Sequence, residues 1–227
     1  MNERFRDRRE AGRALAQLVR ALHLPDPLVL ALPRGGVPVA LEVARALDAP
    51  LDLLLVRKIG LPWQPELAVA AVVEGDPPDV VVDEEVRADA GIDRAYIEAE
   101  ARRQLQEIAR RRALYRAGRA PADVASRSAI VVDDGIATGT TMRAALKALR
   151  RRRPATLVLA VPVAAPQTMH ELAGEVDHAV CVRQPAWLRA IGLHYDDFHQ
   201  LEDDEVLALL ASYRHDGPGG RHGTPDA

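Results

Sequence analysis

The feature that most limits the fold is an alternation of apolar runs and amphipathic segments along residues 129–182. Three apolar runs are separated by two segments of helical periodicity, in the order AIVVDD, TTMRAALKALR, TLVLAVPV, PQTMHELA and HAVCV. Strands that alternate with helices pair in parallel through right-handed crossovers, and such strands are covered on both faces. The pattern predicts an α/β fold, a mainly parallel sheet with helices on both faces.

The first part of the chain predicts the same architecture. A helical stripe over residues 4–23 precedes LVLAL, a Pro-Arg-Gly-Gly turn and a helix over residues 37–47. The run LDLLLVRK, residues 51–58, is continuously apolar until its two final cations, which predicts one buried strand. Residues 60–66 are expected to form a loop, residues 68–73 and 80–83 paired strands, and residues 93–116 a long, arginine-rich helix.

Composition excludes several classes of protein. With 227 residues, 48% of them hydrophobic, the chain can bury a full core, and we expect one domain over residues 1–213 with a flexible tail over 214–227. The net charge of −3 gives no global field for nucleic acid or membrane. A single cysteine, a start without an apolar signal core and no apolar run of about 20 residues predict a cytoplasmic protein.

The stretch AIVVDDGIATGTTM carries the strongest chemical signal. Asp133 and Asp134 follow a predicted buried strand, so they lie at the sheet edge where α/β proteins bind ligands. The next seven residues lead into a helix whose free N–H groups bind anions such as phosphate. Two carboxylates would repel that phosphate, so they more plausibly accept hydrogen bonds from hydroxyls or hold a divalent cation. A sugar phosphate suits both features, because its phosphate can bind at the helix N-terminus and its hydroxyls can donate to the two carboxylates.

Three alternative functions for this stretch fit less well. It lacks the lysine of a P-loop and the G-x-G-x-x-G of a dinucleotide turn. A receiver domain would need a further aspartate at the next strand end, where the sequence is AVPVAAP. A purely structural turn would not require two acids, three threonines and two glycines together. The histidines lack metal-ligand spacing, and Cys181 is expected to be a buried small hydrophobe.

The segment VVDDGIATGTT resembles the phosphoribosyl-pyrophosphate motif of the type I phosphoribosyltransferases. The Arg-Phe-Arg-Asp-Arg start, the Leu-Pro-Arg-Gly-Gly loop and the Val-Arg-Lys strand end resemble a bacterial subgroup of small predicted phosphoribosyltransferases. This resemblance covers the chain from Arg4 to about Tyr213. It implies transfer of a 5-phosphoribosyl group to a nitrogenous acceptor with release of pyrophosphate, and Mg²⁺ as cofactor.

The resemblance also implies residue roles. Asp133 and Asp134 would bind the ribose hydroxyls and contribute, indirectly or through the substrate, to the metal site. The residues implied for the 5-phosphate are Ala137, Thr138, Gly139, Thr140 and Thr141, and those for pyrophosphate are Pro33, Arg34, Gly35, Gly36, Arg57 and Lys58. Independent reasoning supports the second set, since a glycine turn admits an anion and Arg34 adds charged donors.

Catalysis is assigned to Arg34, Arg57, Lys58 and, as acid or base, to Glu66, although a lone loop glutamate is also consistent with a solvated charge. Residues 60–125 form the implied lid or insertion, with 60–82 as the lid proper, and residues 183–202 form the hood over the acceptor. Within that hood, Trp187, Tyr195 and Phe198 either stack on the acceptor or fill the hood's own core.

The acceptor and the activity itself stay open at this stage. Ala137 stands where the 6-oxopurine branch carries an acid, which speaks against hypoxanthine, guanine or xanthine and resembles the adenine-type motif. One alternative is a sensor of phosphoribosyl pyrophosphate or nucleotides that binds RNA through the arginine-rich helix; another is a sugar-phosphate hydrolase. A homodimer is left open, and no membrane partner is expected.

Overall fold

The computed structural model describes residues 4–75, 77–116 and 120–213. The strands in this part of the chain are β1 (Pro27–Ala31), β2 (Leu51–Leu53), β3 (Val56–Leu61), β4 (Gln64–Val73), β5 (Asp79–Val82), β6 (Ser128–Val132), β7 (Thr156–Val163) and β8 (His178–Arg183). The helices are α1 (Arg8–Arg20), α2 (Gly36–Leu47), α3 (Glu84–Asp89), α4 (Arg94–Arg116), α5 (Thr140–Arg151), α6 (Pro166–Ala173) and α7 (Asp203–Ala211), with a 3₁₀ helix over Ile191–His194.

The main sheet has five strands in the order β2-β1-β6-β7-β8, and every neighbouring pair is parallel. Alternate residues of each strand enter two different apolar cores. In β6, Ile130 packs in the core that includes α1 and α2, whereas Val131 packs in the core that includes α5 and α6. The predicted α/β fold with helices on both faces is therefore confirmed, and β6 occupies the centre of the sheet.

A second sheet of three antiparallel strands, in the order β3-β4-β5, packs against α4 and α5. The pairing of β4 with β5 confirms the paired strands expected over residues 68–73 and 80–83. The loop expected over residues 60–66 was wrong, because β3 ends at Leu61 and β4 begins at Gln64. Only Pro62 and Trp63 form the turn, and Trp63 is exposed at its tip.

The single strand predicted over residues 51–58 was also wrong. The chain leaves the main sheet after Leu53 and enters the second sheet at Val56. Leu54 and Leu55 are both buried, and their backbones bond to different sheets: the Leu54 N–H donates to Ala31 of β1, and the Leu55 carbonyl accepts from Glu74 after β4. The apolar run is thus continuous because the chain crosses between two covered sheets.

Helix α4 confirms the long helix expected over residues 93–116, and its last residue is held inside the protein. The buried Arg116 forms ion pairs with Glu74, after β4, and with Asp52 in β2. This pair of contacts connects both sheets to α4. The N-terminal helix begins only at Arg8, later than predicted, and α3 was not predicted at all. The tail expected over residues 214–227 lies outside the described residues. Among the described helices, none is both long and apolar enough to cross a membrane.

Candidate active site

The acid pair lies where the central strand of the main sheet ends. Asp133 and Asp134 directly follow β6, at the carboxyl edge of the sheet, which is where open α/β sheets bind ligands. Asp133 is partly exposed, and its Oδ1 accepts a hydrogen bond of 2.8 Å from the Asp134 N–H. Asp134 is buried, at 9% exposure. Both acids therefore lie at the end of β6, and Asp134 is the more buried residue of the two.

Asp134 is held by residues from both ends of the chain. The Arg8 Nε donates to Asp134 Oδ2 at 2.7 Å, and Tyr195 donates its hydroxyl to the Asp134 carbonyl at 2.6 Å. A second guanidinium nitrogen of Arg8, Nη1, donates to the His199 carbonyl at 3.0 Å. These contacts fix the orientation of Asp134 relative to the sheet.

Burial raises the pKa of both carboxyl groups. For Asp133 the loss of solvation is the larger cause, and the neighbouring charge of Asp134 raises its pKa further. For Asp134 the loss of solvation also raises the pKa, while the charge and hydrogen bond of Arg8 oppose that rise. Two adjacent acids with raised pKa values at a sheet edge are typical of a functional site, because burial and like charge are arranged there to tune ionisable groups.

The turn after the acid pair leads into the N-terminus of α5. Ala137 and Thr138 are exposed, and Gly139, with φ of 75°, occupies the N-cap position in a left-handed conformation. No side chain caps this helix and its first turn contains no acid. A twelve-residue helix without a capping side chain leaves backbone N–H groups and a positive dipole end available to an anion. The residues implied for the 5-phosphate thus surround a suitable anion-binding site.

The glycine turn, residues 33–36, packs directly on the acid pair. A Cβ added to Gly35 would lie 2.6 Å from Asp134 Cγ, and one added to Gly36 would lie 3.0 Å from Asp133 Cα. These separations are shorter than ordinary carbon contacts, so only glycine fits at either position. The Pro33–Arg34 peptide bond in this turn is cis. The acid pair is therefore in contact with the glycine turn and is followed directly along the chain by the phosphate turn.

Arg34 is directed toward the start of α7. Its Nη1 donates to Glu202 Oε2 at 3.0 Å and lies 3.8 Å from Asp203 Oδ1. Asp203 also accepts a hydrogen bond from the Tyr115 hydroxyl of α4. In this structure the cation implied for pyrophosphate is thus paired with the acidic first turn of a helix, and an incoming anion must compete with that pair.

Arg57 and Lys58 lie in β3 of the second sheet, because the strand expected to carry them to the edge of the main sheet is divided. They nevertheless line a cavity of about 520 Å³ together with Thr141, the second residue of α5. Arg57 donates to the Gln104 Oε1 of α4 at 3.1 Å, and burial lowers its pKa. The second sheet therefore brings these two residues to the phosphate turn by a different route from the one expected.

The remaining candidates fall in different environments. Glu66 lies in β4, and its side chain is outside the described part of the structure. Tyr195 is buried, with its ring 5.6 Å from Phe5 and 5.0 Å from Phe198. Trp187 is 87% exposed. Tyr195 and Phe198 thus pack in a small aromatic core at the C-terminal segment, and of the three proposed acceptor-binding aromatics only Trp187 is largely exposed.

Sequence reasoning missed two parts of this site. Arg8 was included in the Arg-Phe-Arg-Asp-Arg start, but nothing in an arginine-rich chain indicated which arginine would reach an aspartate 126 residues away. The contact of Glu202 and Asp203 with Arg34 was not predicted either. The sole signal for their contact with Arg34 was the acidic first turn of α7, which also stabilises the helix dipole.

Three of the seven arginines of α4, the interface considered for RNA, pair with acids on the same helix. Arg110 Nε and Arg111 Nε donate to Glu107 at 2.9 and 2.8 Å, and Arg103 pairs with Glu100 at 3.3 Å. Hydrogen bonds from the two arginines lower the pKa of Glu107 to about 2. These pairs reduce the positive charge of the helix surface, so the geometry gives no support to an RNA-binding role.

An acid pair at the carboxyl edge of a parallel sheet, between two glycine-containing turns at helix N-termini, is an arrangement by which α/β proteins bind phosphorylated ligands. The comparison with known families is more specific. The model of the phosphoribosyl transferase domain matches residues 5–185. The chain belongs to this phosphoribosyl transferase family.

Two relatives and one solved structure extend this result. Over 206 residues the chain is 47% identical to proteins named "Putative phosphoribosyl transferase" in two strains of Mycobacterium tuberculosis, CDC 1551 / Oshkosh and H37Rv. The match covers 91% of this chain and 46% of theirs, so the chain spans about half the length of these curated relatives. The crystal structure of TT1426 from Thermus thermophilus is 42% identical with a TM-score of 0.81, covering 92% of this chain and 98% of that one.

Proposed function

We propose that this protein transfers the 5-phosphoribosyl group of phosphoribosyl pyrophosphate to a nitrogen atom of a small acceptor, with release of pyrophosphate. The observation that carries the proposal is the direct packing of the glycine turn on the acid pair, so close that a Cβ added at Gly36 would lie 3.0 Å from Asp133 Cα. Two anion-binding turns beside one acid pair suit a ligand with hydroxyls in its middle and phosphates at both ends. Membership of the phosphoribosyl transferase family supports the same reaction class.

In this reaction the bond between ribose C1 and a pyrophosphate oxygen breaks, and its electron pair leaves with pyrophosphate. The acceptor nitrogen forms the new bond to C1 and loses its proton. The protein stabilises negative charge on the departing group and holds the ribose in place. Asp133 would accept hydrogen bonds from the ribose hydroxyls, residues 137–141 would hold the 5-phosphate, and Arg34 would exchange its Glu202 partner for pyrophosphate.

The residues present fit Mg²⁺ bound mainly through the substrate. Asp133 lies at the end of β6 in contact with the glycine turn, and the described residues contain no group of three or more His, Cys, Asp or Glu side chains that could hold an ion alone. Magnesium sites often use one or two carboxylates together with substrate phosphates. When bound, the ion would neutralise charge on the pyrophosphate. Asp133 would contribute to its site, and Asp134 would act only indirectly.

The candidate for the lid is the segment over residues 60–82 within the insertion over residues 60–125, and it comprises the end of β3 with β4 and β5. Strand β3 carries Arg57 and Lys58 to the cavity shared with Thr141, and Trp63 at the tip of the hairpin of β3 and β4 is 64% exposed. Closure of such a hairpin would exclude water, which otherwise competes with the acceptor. Glu66 on the same hairpin is the proposed acid or base, and Trp187 the aromatic available to an acceptor ring.

The acceptor is proposed to be a base-like nitrogen compound other than a 6-oxopurine. Ala137 is exposed in the phosphate turn, and its methyl group offers no proton acceptor at that position. The family relation supplies the reaction class but not the identity of the acceptor. For this reason the decisive experiment must vary the acceptor while it keeps phosphoribosyl pyrophosphate and Mg²⁺ constant.

The test measures pyrophosphate release from phosphoribosyl pyrophosphate and Mg²⁺ with a panel of nitrogenous bases and small amines. We expect pyrophosphate release that depends on the acceptor. Asp133→Asn should abolish this release, and the exposed control Asp89→Asn should retain it. Binding of phosphoribosyl pyrophosphate by calorimetry should weaken by about 1.5–3 kcal/mol in Asp133→Asn, the contribution of hydrogen bonds to a charged group. Release that needs no acceptor would instead indicate a hydrolase, and unchanged binding by Asp133→Asn would reject the proposed site.

A further inference from the structure

The N-terminal segment before α1 is built into the site, although the proposed reaction gives it no role. Phe5 forms a bridge with Tyr195: its N–H donates to the His194 carbonyl at 2.8 Å, and its carbonyl accepts from Asp196 at 2.8 Å. Asp7 then caps α1 by accepting a hydrogen bond of 2.7 Å from Glu10. The first residue of α1 is therefore anchored on both sides, and that residue is Arg8.

The Arg8 guanidinium is buried and its position is fixed by three contacts. Only 9% of its side chain is exposed. It pairs with Asp134 at 2.7 Å, donates to the His199 carbonyl at 3.0 Å and lies 3.9 Å from the centre of the Phe198 ring. A buried arginine is costly unless its charge is compensated, so this arrangement persists because the carboxylate of Asp134 compensates it.

The groups around Asp134 explain why a cation is needed at this position. Asp133 adds a second negative charge from the end of β6. The glycine turn packed on the pair contributes one charged side chain, that of Arg34. From the C-terminal segment comes the neutral Tyr195 hydroxyl, and Arg183 stacks on the other side of the aromatic core, 3.7 Å from the Phe5 ring. Within the described part of the chain, Arg8 is the cation in direct contact with the pair.

We propose that Arg8 is a positioning residue for the phosphoribosyl site: its guanidinium, held by the His199 carbonyl and the Phe198 ring, orients the Asp134 carboxylate, and through it the acid pair that accepts hydrogen bonds from ribose hydroxyls. This inference rests on the proposed function. The N-terminal segment is thus part of the binding machinery, although it lies far from the phosphate turn in sequence.

The first test needs no ligand. In protein labelled with ¹³C at aspartate carboxyl groups, the pair is followed by NMR as a function of pH, with signals assigned through Asp133→Asn and Asp134→Asn. In Arg8→Met the apparent pKa values of the pair should rise by about 1 to 3 pH units, the effect of removing a nearby opposite charge. Arg8→Lys should restore most of this change. The control Arg6→Met, which removes a largely exposed arginine two residues away, should leave the titration as it is. An unchanged titration in Arg8→Met would overturn the proposal.

The second test measures phosphoribosyl pyrophosphate affinity with Mg²⁺. Arg8→Met should bind about tenfold more weakly than the wild type, because the Asp134 carboxylate loses the donor that orients it. Arg8→Lys should recover most of this loss, since it keeps a cationic donor beside Asp134, and Arg6→Met should bind as the wild type does. Equal losses in Arg8→Met and Arg8→Lys would indicate a merely structural role and would overturn the inference. If the wild-type protein does not bind this ligand, the proposed function fails, and with it the ribose role of Arg8; the NMR titration then reports on charge balance alone.

A double substitution covers the case in which Arg8→Met does not fold. Arg8→Met/Asp134→Asn removes both buried charges and leaves neither unpaired, so it should fold more readily than the single variant. If Arg8 acts through Asp134, the double variant should bind phosphoribosyl pyrophosphate with the same affinity as Asp134→Asn. A further loss of more than about threefold would mean that Arg8 acts by another route, against the proposal.

Discussion

Replacement of Gly35 by alanine tests the packing between the glycine turn and the acid pair. Gly35 has φ of −58° and ψ of −36°, a conformation that alanine adopts without strain. By itself the change would stabilise the protein by about 0.4–1 kcal/mol, since alanine restricts the unfolded chain. The added Cβ, however, would lie 2.6 Å from Asp134 Cγ and closer still to its Oδ2. The structure therefore predicts that sterics, and not backbone conformation, decide the outcome.

The size of the effect follows from that contact. Carbon atoms normally approach to about 3.5–4.0 Å, so the Cβ is roughly 1 Å too close. Either the turn moves away or Asp134 does, and movement of Asp134 lengthens its 2.7 Å contact with the buried Arg8. Overpacking of this kind costs about 1–3 kcal/mol. We expect Gly35→Ala to lower the free energy of unfolding by that amount and to weaken phosphoribosyl pyrophosphate binding at least about tenfold, because both sides of the site shift.

The assay combines urea unfolding with calorimetric titration of phosphoribosyl pyrophosphate in the presence of Mg²⁺. Gly174→Ala is the matched control: this glycine has φ of −71°, and the nearest atom to an added Cβ is 3.7 Å away, an ordinary contact. The control should be as stable as the wild type or slightly more so, with unchanged binding. If Gly35→Ala unfolds at the same urea concentration as Gly174→Ala and binds the ligand equally well, the packing argument is refuted.

Three further predictions concern contacts around the site. Glu202→Gln should strengthen pyrophosphate binding by a few-fold, measured by calorimetry, because the exposed pair that it weakens with Arg34 contributes only about 0.2–1 kcal/mol. Arg116→Met should lower the free energy of unfolding by about 3–5 kcal/mol, since it leaves buried acids unpaired, whereas Arg112→Met on the exposed face of the same helix should change it little. Burial raises the pKa of Tyr115 to about 12, so its contribution to stability is present below pH 10 and is lost as the pH rises through 12. Melting temperatures measured over that range should fall less steeply in Tyr115→Phe than in the wild type.

The sequence was sufficient for the half of the main sheet from β6 to β8, because that part of the fold is encoded locally. Each strand and helix from residue 128 onward has its own periodicity, and the rules for parallel crossovers determine how such units assemble. The run over residues 51–58 was predicted wrongly for the opposite reason. Leu54 and Leu55 are buried between two sheets. A chain that is buried on all sides has apolar residues whether it continues as one strand or passes from one sheet to the other.

Only part of the candidate site was predicted, and the difference between the predicted and the missed parts has a similar physical cause. The acid pair and the two turns are contiguous motifs, and each needs its residue types at fixed positions along the chain. The pairing of Arg8 with Asp134 and of Arg34 with Glu202 joins residues 126 and 168 positions apart. Any of the many arginines in this sequence has the chemistry for such a pair, so only the folded arrangement identifies which ones form it.

The contact of Arg8 with Asp134 and His199 has a consequence for the order of folding. The hydrogen bond between Arg8 and His199 joins residues 191 positions apart, and Tyr195 reaches the same aspartate from the far end of the described chain. Contacts of such long sequence separation form late and slowly, because much of the chain must be ordered before they close. Capacity to hold the phosphoribosyl ligand should therefore emerge only with the final cooperative step of folding, so that ligand binding serves as a readout of the completed native state.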